Sequence, residues 1–311
     1  MTATTTNTAL RTTSTPRYSI LRLFLIGVAL WVASVAVTYW TKNVHLVPTV
    51  ILLGSFLVPT LFVVWAFRRE HEVVTLEDVL TGFVVGGVLG VLGATVLEAR
   101  FLQPTSLFVY LGVGFTEEFC KVAALWIIAR RLSRFTPRDG AVLGAAVGFG
   151  FAALESAGYA FNAMFTPLGL SLRALVETEV LRGVLSPFGH GLWTGILGMV
   201  LFRVAARSGH LRVTPELVGW YVVVSVLHGF WDMSNGLAAL ITSVITRDLF
   251  QQQLLNDGRL SDPSAAEVHV YTVTSWGLLI VDAVIGVLVL RMLHRRTARS
   301  EARGPAPEKA T

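Results

Sequence analysis

The chain has 311 residues, of which 53% are hydrophobic and only 14% charged, with a formal net charge of +5. Soluble domains carry roughly a quarter charged residues, so this composition excludes an ordinary soluble protein and points to a chain that crosses a membrane several times. The positive charge is not a nucleic-acid signal, because the basic residues sit between apolar runs, where membrane topology accounts for them.

Residues 1–19 are polar and rich in threonine, and are expected to be disordered. The apolar run that follows exceeds the 7 to 15 residues of a signal-peptide core, so it reads as a retained first helix. Eight apolar segments are then marked: Ile20–Trp40, Leu46–Phe67, Leu80–Leu97, Leu107–Ala129, Ala141–Phe165, Ser186–Val204, Leu217–Leu240 and Tyr271–Leu293. Each is about 18 to 25 residues, the length a tilted helix needs to span a bilayer. Short loops predict one all-α transmembrane bundle over residues 20–293, with a functional core at about 107–240 and a basic, flexible tail at 294–311. Most of the 25 basic residues, among them Arg68, Arg130, Arg134, Arg203, Arg212, Arg291 and Arg296, fall on the side of the N-terminus. Both termini are therefore expected in the cytoplasm.

In the second segment Pro59 lies inside the run and should kink it. The third carries Gly82, Gly86 and Gly90, and the fifth Gly140, Gly144 and Gly148, a spacing that lets helix backbones approach closely. Between the fifth and sixth segments, residues 167–185 read either as an interfacial helix or as a plain loop. The polar stretch 247–269 is assigned no role. Cys120 is the only cysteine, so no disulfide framework is possible, and it reads as a small apolar filler.

Four segments carry ionisable groups at depth: Glu117, Glu118 and Lys121 in the fourth, Glu155 in the fifth, His190 in the sixth, and His228 with Asp232 in the seventh. Left unpaired, they would cost on the order of 10 kcal/mol or more, so they should converge on one site. At about 1.5 Å per residue, Glu117 lies roughly 15 Å from the outer edge and His190 about 6 Å. From the inner edge, His228 lies roughly 16 Å and Glu155 about 21 Å, so all can meet in the outer half. Glu117 with Lys121, Phe151 with Glu155, His190 with Thr194, and His228 with Asp232 are i, i+4 pairs, each on one helix face. Glu118 is turned about 100° from Glu117 and addresses a different partner.

Four acids against one lysine and two histidines require either protonation of some acids or a bound cation. Zinc would suit His and Glu ligands, with Glu118, His190 and His228 as the set, and it keeps an open position for water. A metal-free alternative uses a glutamate as general base with His-centred donors as an oxyanion hole. Lys121 reads as the neutraliser of Glu117, Asp232 as the residue that orients His228, and Thr194 as a supporting group. Glu155 and His190 allow a purely structural reading as an interhelical hydrogen bond.

At these residues the sequence resembles the PrsW family of intramembrane proteases, distant relatives of the CAAX prenyl protease and bacteriocin-processing group. The resemblance rests on Glu117, Glu118 and Lys121 as Glu-Glu-x-x-Lys, on Phe151 and Glu155 as Phe-x-x-x-Glu, on His190 and Thr194, and on His228. It departs at Asp232, where the family pattern has asparagine, and a carboxylate cannot donate to an oxyanion unless protonated. The resemblance implies a multi-pass cell-membrane enzyme that hydrolyses peptide bonds of membrane-anchored substrates, with Glu117, Glu118, Glu155, His190 and His228 as catalytic residues. Its partners would be such proteins or peptides and the bilayer, with no nucleic acid. The same buried Glu, His and Lys could instead form the relay of a proton- or cation-coupled transporter, although no internal repeat is found. A scaffold that binds a partner helix through its glycine faces would leave the costly polar groups unexplained.

Overall fold

The structure is a computed structural model, and it describes residues 19–102, 106–246 and 264–302. Helices dominate: α1 (Ile20–Thr41), α2 (Val47–Glu70), α3 (Leu76–Thr81), α4 (Gly87–Phe101), α5 (Val109–Ala129), α6 (Pro137–Ala163), α7 (Leu172–Leu185), α8 (His190–Ser208), α9 (Pro215–Thr246) and α10 (Ala265–Ala302). A π-helical turn, Gly82–Gly86, joins α3 to α4, and a two-stranded hairpin, Phe165–Thr166 with Gly169–Leu170, links α6 to α7. The eight apolar segments are mostly helical, the third running through α3, the π-helical turn and α4 and the sixth starting α8 after a break at Gly189. Six helical stretches are long and apolar enough to cross a membrane by length and composition. The helices that fall short of that apolarity are α5 and α9, which carry Glu117, Glu118 and Lys121, and His228 and Asp232.

Local chemistry sets the helix ends. Thr136 caps α6 by accepting from Asp139 N, and the Asp139 carboxylate accepts from the backbone of Glu72, Val73 and Val74, which ties the α2–α3 turn to the start of α6. Gly209, in the left-handed region at φ 77°, closes α8, a conformation that costs glycine no Cβ clash. Residues 167–185, open between loop and helix on sequence, are hairpin and then helix. Ser171 caps α7, and Leu175 is fully buried against Val50, Ile51 and Ala160. The tail expected to be flexible from residue 294 is helical to Ala302, since its Arg and Ala residues favour continuation of α10. The expectations for residues 1–18, most of the 247–269 stretch and residues 303–311 lie outside the described residues.

The core sits around α8, where Trp193, Ile196, Leu197, Leu201 and Phe202 are fully buried. The glycine spacing has its cause here. A Cβ on Gly140, Gly144 or Gly148 would fall on the backbone oxygen of Gly198, Thr194 or His190, so α6 and α8 touch backbone to backbone. Gly114 does the same for α5 against Ser225 of α9, and Gly229 packs on Leu111. These approaches bring four polar-bearing helices into register.

Candidate active site

The seven ionisable residues of the sequence reading meet in one cluster. Lys121 Nζ, fully buried, donates to Glu117 Oε2 at 3.0 Å, Glu118 Oε1 at 2.9 Å and His190 Nδ1 at 2.7 Å. An ammonium has no lone pair, so His190 Nδ1 must be the acceptor nitrogen and Nε2 the N–H. That Nε2 lies 2.9 Å from Glu155 Oε2, to which it donates. His228 is also fully buried, and its Nδ1 donates to Glu118 Oε1 over 3.0 Å. Its Nε2 is left with no hydrogen bond, although Asp232 Oδ2 stands 3.3 Å away and Glu117 Oε2 3.5 Å away. A lone pair facing two carboxylates is a place for a cation.

One group of potential ligands follows. Glu117, His190 and His228 each offer an atom, and the three atoms lie within 4.8 Å of one another. The sequence reading put Glu118 in that set. Glu118 stands beside this group, with Oε1 bonded to Lys121 and His228 and Oε2 to the Thr194 hydroxyl at 3.3 Å. The donor set suits a divalent metal, and Glu118 and Glu155 hold the far nitrogen of one histidine each, as metal-ligating imidazoles require. Asp232 stands on the Nε2 side of His228, while Glu118 accepts from Nδ1 on the other side. Its side chain is 26% exposed, as against 8% for Glu117, and so lies at the mouth of the cluster.

Aromatic rings line the site. Phe151 lies under the Lys121 ammonium, 4.0 Å from ring centroid to Nζ, and 5.1 Å from the His190 ring, which gives the Phe-x-x-x-Glu spacing a physical role. Trp193 stacks on His228 at 4.6 Å and meets His190 edge-on at 5.4 Å.

Three residues were not found from the sequence. Trp193 was not singled out, because its stacking partner is 35 residues away. Arg182, within residues 167–185 that were left open between helix and loop, reaches Glu155 Oε2 at 2.6 Å. Asp282 in α10 is fully buried and neither carboxylate oxygen makes a hydrogen bond. Its signal was available, a lone acid in the apolar segment Tyr271–Leu293.

Residues 15–251, well over half of the chain, match the family model described as PrsW family intramembrane metalloprotease. No curated protein and no solved structure matches. The match supports a hydrolase acting in the membrane and gives no support to the transporter alternative.

Proposed function

The chain belongs to the PrsW family of intramembrane metalloproteases, a multi-pass hydrolase of membrane-embedded proteins, and from that premise we propose a metal-dependent mechanism run by the buried Glu/His cluster. Glu117, His190 and His228 would hold the metal, with zinc the best match to the donor set. A bound divalent ion supplies Lewis-acid chemistry, activating water and polarising a carbonyl. The observation that carries this reading is the orientation of both imidazoles: each gives one nitrogen to a carboxylate, Glu155 or Glu118, and turns the other toward Glu117.

The protein's own groups do the rest. Asp232, at the mouth and without a hydrogen bond to His228, accepts the proton of the attacking water as its oxygen bonds to the scissile carbonyl carbon. The same proton passes to the amide nitrogen as the C–N bond breaks, so Asp232 ends as it began. Glu118 and Glu155 hold the imidazole rings, and burial strengthens each contact. The substrates are membrane-anchored proteins or peptides, the enzyme resides in the cell membrane with both termini cytoplasmic, and residues 20–293 work as one domain. The kinship with the CAAX prenyl protease and bacteriocin-processing group belongs to this proposal as well.

A second reading has a specific observation behind it. Lys121 donates to Glu117 Oε2 and His190 Nδ1, on two of the three candidate ligand residues, so its ammonium could supply the cation and leave Glu117 as a metal-free general base. Metal analysis of the purified protein separates the two. The metal mechanism expects one equivalent of divalent metal, lost in Glu117→Gln and His228→Ala, and cleavage of single-span substrates in liposomes that a chelator abolishes and zinc restores. Full chelator-resistant cleavage by metal-free protein would establish the glutamate route.

A further inference from the structure

The centre has an outer support that none of its motifs contains. Arg182 projects from α7 onto α6, with Nη2 on Glu155 Oε2 at 2.6 Å and Nε on Ser156 Oγ at 2.8 Å. Its guanidinium also stands 4.2 Å from the centre of the Tyr159 ring. Three α6 side chains thus hold one guanidinium. The Glu155 oxygen that Arg182 grips is the one that accepts from His190 Nε2.

We propose that Arg182 is a positioning residue of the hydrolytic centre, fixing the Glu155 carboxylate so that Glu155 fixes the His190 ring with Nδ1 turned inward. The inference rests on the protease reading for its catalytic consequence. A carboxylate bonded to an imidazole alone can rotate about its last torsion and exchange oxygens. A guanidinium fork on the same oxygen, with its second arm on Ser156, removes that freedom. The support is itself anchored. Glu179, one turn before Arg182, is buried and accepts from Trp31 Nε1 of α1 at 2.8 Å, and Leu175 is fully buried. Helix α7 therefore delivers Arg182 from a fixed platform, and its place outside the membrane-crossing pattern hid it from sequence reasoning. Since Lys121 can only donate to His190 Nδ1, the tautomer with hydrogen on Nε2 depends on an ionised acceptor at Glu155, which is what Arg182 secures.

The test uses the full-length protein in detergent micelles or liposomes, with ¹⁵N-labelled histidine and the His190 signals assigned by their absence in His190→Asn. Wild type is expected to show His190 protonated at Nε2. In Arg182→Gln that signature should give way to mixed tautomers, and kcat for a cleaved single-span substrate should fall about 10-fold or more with KM within about 2-fold. Arg182→Lys keeps the charge but not the fork, so it should restore part of both, and it carries the test if the glutamine variant does not fold. A wild-type His190 signature and kcat in either folded variant would overturn the inference. Wild-type protein that cleaves no substrate would sink the protease reading instead, and the histidine spectrum, which needs no substrate, would still decide the role of Arg182.

Discussion

Glu117 and Glu118 are neighbours in sequence, yet one helical step of about 100° gives them different work. Glu117 faces the lone-pair nitrogens of both histidines, while Glu118 is fully buried and bonded to Lys121, His228 and Thr194. Replacing Glu118 by Gln removes half of the counter-charge of Lys121 and leaves His228 an uncharged amide oxygen in place of a carboxylate acceptor. Breaking a buried charged pair costs roughly 3–5 kcal/mol, whereas a single neutral hydrogen bond is worth about 1 kcal/mol. Glu118→Gln should therefore lower the thermal midpoint in detergent by far more than Thr194→Val, which loses one contact of 3.3 Å. Equal shifts would mean that Glu118 carries no more than its bond to Thr194. At this scale the polar residues that interrupt the fourth to seventh apolar runs exposed Glu117, Glu118, Lys121, Glu155, His190, His228 and Asp232, while Asp282 interrupts the eighth in the same way and was passed over. The sequence was silent on roles, because which of Glu117 and Glu118 faces the free nitrogens of the histidines turns on rotation about one helix axis, and on Arg182, whose partner lies 27 residues away in another element.

Between elements, the contact that matters most is the seam of α6 and α8, which sets Glu155 against His190. Gly144 sits on it with the Thr194 carbonyl where a side chain would start, while Gly158, on the same helix, has nothing within 4 Å. Gly144→Val must push the helices apart, and such overpacking costs typically about 1–3 kcal/mol. Gly158→Ala should stay within about 0.5 kcal/mol of wild type. The expected result is loss of cleavage and of folded yield in Gly144→Val alone, with both readouts normal in Gly158→Ala. Cleavage retained in Gly144→Val would show that the His190–Glu155 contact does not depend on close approach of these backbones. The four-residue glycine spacing made tight packing readable in advance. Which helix fills each seam was not readable, since spacing identifies a face and says nothing of its partner, and α7 was ambiguous because its apolar residues cover α2 and α6 without forming a continuous stripe.

Over the whole molecule, charge and the cluster make one argument about orientation. The arginines of the α5–α6 and α8–α9 turns and of the end of α10 belong to one side of the bundle, and the α6–α7 hairpin to the other. With both termini cytoplasmic, Glu155, the Arg182 platform and the mouth at Asp232 then lie toward the outer face, which sets the side from which water reaches the centre. Cys120 is buried, so the native chain gives little background to thiol labelling, and single cysteines can report the two sides. Leu168 at the hairpin tip is fully exposed, and His210, just past the end of α8 on the opposite side, is exposed too. In intact cells a membrane-impermeant maleimide should label Leu168→Cys, while His210→Cys should react only after lysis. The reverse pattern would invert the molecule and put α7 and the mouth of the centre on the cytoplasmic side. It would then follow that substrates are cut near their cytoplasmic ends, because the depth of the histidines relative to α7 is fixed by the fold and moves with it.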